Sequence, residues 1–194
     1  MMPSTGTVSV DLGDVPHEAI ALLRQCGSMQ CPHSGRTLFD HLAGTYGLLR
    51  FWGNPEPVCL GGLFHSIYGT NAFKHQSLPE DQRGVLQSQI GVEAEYLAWR
   101  FCNIDRPRAI LAAIDKQELA PDWIALAEIE AANLIEQGDI GRSVRDLYCA
   151  GMDQPGVLSQ GALAALQQAL SKQLQAKQQS IAPTGAHLTQ GAHP

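Results

Sequence analysis

The stretch that decides the fold is residues 33–73, HSGRTLFDHLAGTYGLLRFWGNPEPVCLGGLFHSIYGTNAF. It contains three of the seven histidines of the chain, His33, His41 and His65. Over residues 38–52 the apolar side chains recur at i, i+4 and i+8, which is the spacing of a helix and not of a strand. The sequence therefore predicts a helix here, with His41 at the edge of its apolar stripe.

A second predicted helix, residues 57–66, is apolar almost all round, which is typical of a central, buried helix. It contains Gly61 and Gly62, and each glycine weakens a helix by about 1 kcal/mol relative to alanine. Close approach of a neighbouring helix, or of a ligand, to the backbone is a sufficient reason for both. Because His65 lies at the end of this helix, two antiparallel helices are expected to bring His41 and His65 onto facing surfaces.

The rest of the chain is also helical in pattern, with no convincing strand and no internal repeat. Further helices are predicted over residues 14–27, from residue 79 with a possible break at Gly84, and over 87–104, 108–114 and 122–138. Residues 139–151 are predicted as a helix or as a turn followed by a helix, and residues 159–179 as a helix. The fold class is therefore all-α. The predicted organisation is a flexible arm (1–13), a helical domain (14–158), a C-terminal amphipathic helix (159–179) that docks on the domain or on a second copy, and a disordered tail (180–194).

Length, charge and cysteine content restrict the possible classes of protein. A chain of 194 residues suits one domain with a proper core. With a net charge of −6 and no cluster of Lys and Arg, nucleic acid is not an expected partner. No apolar run approaches the roughly 20 residues that span a bilayer, so no membrane association is expected.

The cysteines and the N-terminal segment indicate a cytoplasmic protein. No signal peptide is recognisable, and five cysteines, an odd number, are typical of reduced thiols. Cys26 and Cys31 could form a metal pair. No further ligands follow them at a suitable spacing, so buried structural thiols are the favoured interpretation.

Two histidines on facing helices have the layout of a metal site, because neutral imidazole is the commonest protein ligand of transition metals. His41 and His65 would need one or two further nitrogen or oxygen ligands for a stable divalent site. The alternative is a pair of structural histidines, one in the core and one at the surface. The spacing alone leaves both interpretations open.

Residues 34–66, SGRTLFDHLAGTYGLLRFWGNPEPVCLGGLFHS, resemble the start of HD-domain phosphohydrolases, particularly the group that hydrolyses guanosine tetraphosphate. In that family a Ser-Gly loop leads to a helix with a metal-binding histidine, and an apolar helix then ends in Leu-Leu-His-Asp. His41 matches the first histidine and His65 the second. Residues 96–105, YLAWRFCNID, resemble the later family helix, Leu-Ala-Asp-x-x-x-Asn-Leu, with Asn103 at the asparagine. The resemblance implies an HD-domain-like helical bundle and a divalent metal ion (Mn, Fe or Zn).

The sequence also departs from the family pattern. Ser66 stands where the family has the Asp of its His-Asp pair, and Trp99 stands where the later helix has its Asp. The acidic pair that helps to activate water in the family would fall within residues 68–70. A group of uncharacterised bacterial proteins resembles this chain and keeps the same altered pattern.

Other residues could rebuild the missing part of the site. Glu95 lies one helical turn before Trp99, on the same face, so its carboxylate could take the place of the missing Asp; otherwise it is a solvated glutamate. His33 could supply a third imidazole, or instead cap a backbone carbonyl. Ser66 is a poor metal ligand but can hold a water or a substrate oxygen. Ser66 and Glu95 are thus the predicted catalytic residues, and His33, His41 and His65 the predicted metal ligands.

A ligand-binding set completes the predicted site. Arg36, in the loop where the resembling hydrolases present a basic group to the nucleotide, could bind a phosphate or carboxylate bidentately, or could be a surface arginine in the first turn of a helix. Tyr68, in place of the acidic pair, and Asn103 are the other predicted ligand-binding residues.

Three functions compete at this point. The first is a metal-dependent hydrolase of a phosphoester or nucleotide, or a related iron-dependent oxygenase. The second is a catalytically degenerate HD-like domain that binds a small molecule or a protein partner. The third is an interaction module whose C-terminal helix makes homo-oligomers while the histidines are structural.

Overall fold

A computed structural model of the chain describes residues 12–33, 35–69, 77–139 and 141–181. These residues form nine α-helices, namely α1 (His17–Gln25), α2 (Leu38–Phe51), α3 (Glu56–Leu63), α4 (Arg83–Ile90), α5 (Val92–Asn103), α6 (Arg108–Asp115), α7 (Pro121–Glu136), α8 (Arg142–Asp153) and α9 (Gln160–Ile181). The prediction of an all-α fold is confirmed. One short hairpin, of strands β1 (Pro32–His33) and β2 (Arg36–Thr37), was not predicted, because two-residue strands are too short to show alternation.

Helix α2 begins with a capping box. The Thr37 hydroxyl accepts a hydrogen bond from the Asp40 backbone N–H at 3.1 Å, and the Asp40 carboxylate accepts one from the Thr37 backbone N–H at 3.2 Å. The predicted apolar stripe is buried at Leu38, Leu42 and Leu49. The cap and the stripe together set the direction and the face of the helix that carries His41.

Helix α3 is the central helix, and residues 58–63 are all buried. A Cβ at Gly61 would lie 3.0 Å from the Cβ of Leu97 on α5, and one at Gly62 would overlap the side chain of Leu49 on α2. The two glycines therefore let α2 and α5 approach α3 closely. The predicted end of this helix was wrong by three residues: α3 ends at Leu63, so His65 lies in the turn that follows.

The predicted helix over residues 87–104 is two helices. Gly91 has a φ of 84°, in the region that favours glycine, and it separates α4 from α5. Ile90 and Ala94 are both buried on either side of the break. The apolar pattern therefore runs through a change of direction that periodicity alone does not reveal.

Helices α7 and α9 close the other side of the core. Helix α7 is buried over residues 125–134, including the charged side chains Glu128 and Glu130. Helix α9 packs on α7 and α8 through Ala162 and Leu166, so it docks on its own chain. Glu128 accepts hydrogen bonds from the backbone N–H and the hydroxyl of Ser159, which hold the start of α9 in place.

The remaining predictions concern the termini, membrane spans and cysteines. Residues 1–11 of the predicted arm and 182–194 of the predicted tail lie outside the described residues. Within the described ranges, no helix is both long enough and apolar enough to cross a membrane. All five cysteines are free thiols, as predicted, but Cys26 and Cys31 are only partly buried, and the buried cysteines are Cys59 and Cys102.

A buried histidine pair as candidate metal centre

Helix α2 and the turn after α3 bring His41 and His65 together in the core, as the sequence predicts. The two side chains are 0% and 1% exposed, and their Nε2 atoms lie 3.1 Å apart. The ring planes meet at 84°, so each ring directs its Nε2 edge towards the other residue. The site therefore contains two imidazole nitrogens that converge within the protein interior.

The backbone determines which nitrogen of His65 carries the proton. Its Nδ1 lies 2.7 Å from the carbonyl oxygen of Gly62. Since a carbonyl only accepts, Nδ1 donates, and the lone pair of the neutral ring is on Nε2, facing His41. Burial, followed by the charge at His41, holds the pKa of His65 well below its usual range, which favours this neutral form.

His41 is oriented by a carboxylate from the end of α7. Its Nδ1 contacts Oε2 of Glu136, whose side chain is 5% exposed. Arg36 pairs with the other oxygen of the same carboxylate, and it also donates to the backbone carbonyl of Glu136 at 2.6 Å. Arg36, predicted as a ligand-binding residue, thus positions the Glu136 carboxylate, which in turn contacts His41.

Gly44 makes room for this carboxylate. It lies three positions after His41, on the same side of α2, and a Cβ there would lie 2.8 Å from Cγ and 2.9 Å from Cδ of Glu136. Any larger residue would displace the Glu136 side chain from its place beside His41. Glu136 was not predicted from the sequence. The local signal that could have indicated a close neighbour of α2 is Gly44.

The hydrogen bonds of the histidine pair limit what can lie between the two Nε2 atoms. With Glu136 ionised beside Arg36, both histidines donate from Nδ1 and direct Nε2 at each other. Two lone pairs facing across 3.1 Å repel each other, so either a proton on His41 Nε2 or a metal ion must lie between them. The convergence of the two Nε2 atoms makes the pair a candidate site for a single small cation.

His33 lies beside the pair and does not converge with it. Its ring stacks on that of His41, with centroids 4.4 Å apart and planes at 28°. A nitrogen ligand binds along its ring plane, so a stacked ring is not directed at the point between the two Nε2 atoms. Among the described residues, no group of three or more His, Cys, Asp or Glu side chains is arranged to hold a metal ion.

Glu95, the carboxylate expected to complete the site, belongs to a separate cluster. It is fully buried and accepts two hydrogen bonds from Arg83, at 2.7 and 2.9 Å, one from Gln87 at 2.8 Å and one from Tyr68 at 2.9 Å. Burial alone would raise the pKa of Glu95, but these bonds together outweigh it and lower the pKa. Both oxygens are already used, so neither Glu95 nor Tyr68 has the predicted role at the histidine pair.

The other predicted residues have different positions. Ser66 is buried next to His65 in the chain. Asn103 is exposed at the end of α5 and donates to the backbone carbonyl of Trp99 at 2.9 Å. Trp99 itself donates to Glu80 at 3.1 Å, and the guanidinium of Arg83 lies 4.3 Å from its ring centre. The position at which the resembling hydrolases carry an Asp is thus part of the Arg83 cluster.

Comparison with known proteins gives one match. A family model described as a domain of unknown function, DUF6817, matches residues 22–106. No curated protein and no solved structure matches the chain. The matched segment includes His41 and His65 but ends before Glu136, so the carboxylate that orients His41 comes from outside it.

Proposed function

We propose that the protein is an HD-domain-like hydrolase that holds a divalent transition-metal ion between His41 and His65 and acts on a phosphoester or nucleotide. The observation that carries the proposal is the 3.1 Å separation of the two Nε2 atoms, each with its Nδ1 bound to an acceptor. Zinc–nitrogen distances are about 2.0–2.1 Å, so two imidazoles on one tetrahedral ion have nitrogens roughly 3.3–3.4 Å apart. The two imidazole nitrogens fit two of the four positions around such an ion.

The surroundings of the pair support the same interpretation. Metal-binding histidines commonly donate their other ring nitrogen to a carboxylate or a backbone carbonyl. His41 has the carboxylate of Glu136, and His65 has the carbonyl of Gly62. These contacts fix the orientation of both rings, with the two Nε2 atoms facing each other, before any ion arrives, which reduces the entropy that binding would cost.

Each residue then has a specific task. A divalent ion, when bound, supplies a Lewis acid and lowers the pKa of a water towards neutrality. His65 and His41 provide the nitrogens, and Glu136 keeps the proton of His41 on Nδ1. Arg36 neutralises Glu136, and its guanidinium, with the side chain 37% exposed, can also contact an anionic substrate.

The resemblance to HD-domain hydrolases agrees with this geometry, since His41 and His65 match the metal-binding histidines of that family. We infer from the acidic composition and from the odd number of cysteines, all of them free thiols, that the protein works in the cytosol on a small molecule. Neither nucleic acid nor membrane is part of the proposal.

Metal analysis tests the proposal directly. Untagged protein should take up about one equivalent of Mn²⁺, Fe²⁺ or Zn²⁺ in equilibrium dialysis, and His65→Ala should take up none. His17→Ala removes an exposed histidine of α1 and should bind as the wild type does. Protein that is folded, free of metal and unable to bind any of the three ions would refute the proposed site. If the protein does bind a metal ion, a screen of phosphoesters on the loaded protein tests turnover.

A second candidate function is binding without turnover. The observation in its favour is that Glu95 and Trp99 are both committed to the Arg83 cluster, so neither provides the acidic ligand of the resembling hydrolases. Loaded protein that cleaves no phosphoester, and yet is stabilised against heat by a nucleotide, would favour this candidate over the hydrolase.

A further inference from the structure

A cavity of about 550 Å³ lies between the start of α3, the first half of α5 and the first half of α7. The histidine pair lies at the opposite ends of two of these helices, because His65 follows the end of α3 and Glu136 ends α7. At about 1.5 Å per residue, the axis of α7 rises by roughly 16 Å from Ala125 to Glu136. The cavity is therefore separate from the candidate metal centre.

Apolar side chains form much of the lining of this cavity. Val58, Leu97 and Ala125 line it and also belong to the hydrophobic core. Pockets that hold small organic molecules have volumes of about 300–1,000 Å³, and this cavity is within that range. The apolar body of a small ligand can therefore be buried here.

The charged groups that line the cavity are acidic. Of the described residues in its lining, Glu93, Asp122 and Glu128 are acidic and none is basic. Glu93 is exposed, whereas Asp122 is 25% exposed in its side chain and pairs with Arg100, which is outside the lining. The charge that no neighbouring cation offsets is thus that of Glu93 and Glu128.

Glu128 contributes a negative charge from within the protein. It is 3% exposed, and it accepts hydrogen bonds from Nδ2 of Asn54 at 2.8 Å, from the Ser159 hydroxyl at 3.1 Å and from the Ser159 backbone N–H. These donors are neutral, and no ion pair within the described part of the chain includes Glu128. Since charges are screened less where protein replaces water, its field extends into the cavity.

The helix termini reduce this negative charge without cancelling it. The starts of α3 and α7 lie at the cavity, and the start of α9 lies beside Glu128. Each terminus carries about half a positive elementary charge, so three of them offset less than the two charges of Glu93 and Glu128. Glu56, in the first turn of α3, adds a further negative charge. The cavity therefore favours a cation.

We propose that this cavity binds a small organic cation, an ammonium group on an apolar carbon body. The ammonium group donates hydrogen bonds to Glu93 and Asp122, and the apolar wall buries the body. Tyr96 also lines the cavity, where Arg100 donates to its hydroxyl at 2.6 Å, and its ring adds an aromatic surface of the kind that attracts cations. The inference goes beyond the proposed function, because it needs neither a metal ion nor turnover at the histidine pair.

Three probes of similar shape and different charge test the inference by NMR titration of the isotope-labelled full chain. At neutral pH phenethylamine is a cation, phenethyl alcohol is uncharged and hydrocinnamate is an anion. Saturable shifts are expected with the amine at backbone amides of the lining, those of Leu97 and Ala125 among them. The amine should bind roughly tenfold more tightly than the alcohol, as expected for one charge-assisted hydrogen bond, and the anion should bind most weakly.

Two variants and a control connect the binding to this cavity. Glu93→Gln removes a charge at an exposed position, so amine affinity should fall several-fold while alcohol affinity stays unchanged. Ala125→Leu places a larger side chain at the cavity wall and should weaken both probes. Glu18→Gln, at an exposed position of α1 outside the lining, makes the same change in net charge and should bind as the wild type does.

Three outcomes overturn the inference. The first is no saturable binding of the amine, and the second is equal affinity for the amine and the alcohol, since the charge would then contribute nothing. The third is an amine affinity of Glu93→Gln equal to that of the wild type, which decides the matter even if Ala125→Leu fails to fold. Metal uptake by the same preparations is measured separately, so protein that binds metal but no amine loses this inference and keeps the proposed metal site.

Discussion

The contact between Glu136 and His41 joins residues 95 positions apart in the chain. It places a carboxylate and an imidazole side by side in a region that excludes water, where an ion pair is held strongly but where the loss of one partner is costly. Arg36 completes the arrangement from the hairpin before α2. Residues of the hairpin before α2 and of the end of α7 thus orient one ring of α2.

Glu136→Gln tests this contact, because it keeps the size of the side chain and removes the charge. Stability should fall by about 1.5–3 kcal/mol, the range for a hydrogen bond to a charged group. Metal affinity should fall about 10–100-fold, as for other residues that orient a metal ligand. Denaturant titration and metal titration measure the two effects, and Glu118→Gln, an exposed position, should change neither.

Glu95 makes a prediction about pH. Its pKa in the folded protein is lower than the ordinary value of 4.5, so its stabilising effect is present above about pH 4.5 and is lost as the pH falls through the folded pKa. Glu95→Gln should therefore be less stable than wild type at pH 7, and the difference should shrink as the pH falls below 4.5. Denaturant midpoints of the two proteins, at pH 7 and at a pH below 4.5, measure this difference in stability.

The control for Glu95 lies on the same helix. Glu93 is exposed, so Glu93→Gln should differ little from wild type at either pH. A difference between Glu95→Gln and wild type that stays constant from pH 7 to below pH 4 would contradict the assigned role of the Arg83 ion pair.

At the scale of elements, the arrangement depends on how closely helices approach one another. Helix α3 is approached by α5 at Gly61 and by α2 at Gly62, and α2 is approached by the Glu136 side chain at Gly44. Glycines that weaken a helix in isolation are kept in these helices because the neighbours occupy the space of a Cβ. The histidines face each other because of these close contacts.

Gly44→Ala should show this directly. Alanine favours a helix by about 1 kcal/mol over glycine, but overpacking costs about 1–3 kcal/mol, so net destabilisation is expected together with weaker metal binding. Gly84→Ala, in α4, is the matched control, since a Cβ added there would meet nothing within 4 Å and stability should rise slightly. Thermal unfolding of both variants measures the difference, and equal stabilisation of the two would contradict the close approach of Glu136.

At the scale of the whole molecule, α9 closes the fold by covering α7 and α8. Its first half has a buried face, with Leu166 at 0% exposure, whereas Leu174 further along is 62% exposed. The Glu128 carboxylate ties the start of α9 to α7. The helix is therefore part of the domain at its first half and open to solvent at residues 174–176.

Two leucine substitutions separate these halves. Leu166→Ala should cost about 2–5 kcal/mol, the range for a buried leucine, whereas Leu174→Ala should stay within about 0.5 kcal/mol of wild type. Chemical denaturation measures both. Sedimentation of Leu174→Ala tests the proposed homo-oligomer at the same time, since a shift to a smaller species is expected only if the exposed half of α9 pairs with a second copy.

Much of the fold follows from local patterns in the chain. The stripe of α2 and the apolar α3 predicted two helices whose histidines face each other. The structure brings the two rings together, although His65 lies in the turn after α3 and not in the helix. Periodicity did not predict the boundary between α4 and α5, because Gly91 divides a continuous apolar pattern into two helices. Local signals decide which segments are helical because helix formation depends on neighbours within one or two turns.

By itself, the sequence determined an all-α chain with His41 and His65 on adjoining elements, because apolar spacing and caps act over a few residues. Only the tertiary structure decided which charged groups serve that pair. Glu136 reaches it from the far end of α7, while Glu95, the nearer candidate in pattern, is bound by Arg83. The partners of a buried charge depend on which helices pack together, because the donors to a buried carboxylate come from segments that are distant in the sequence.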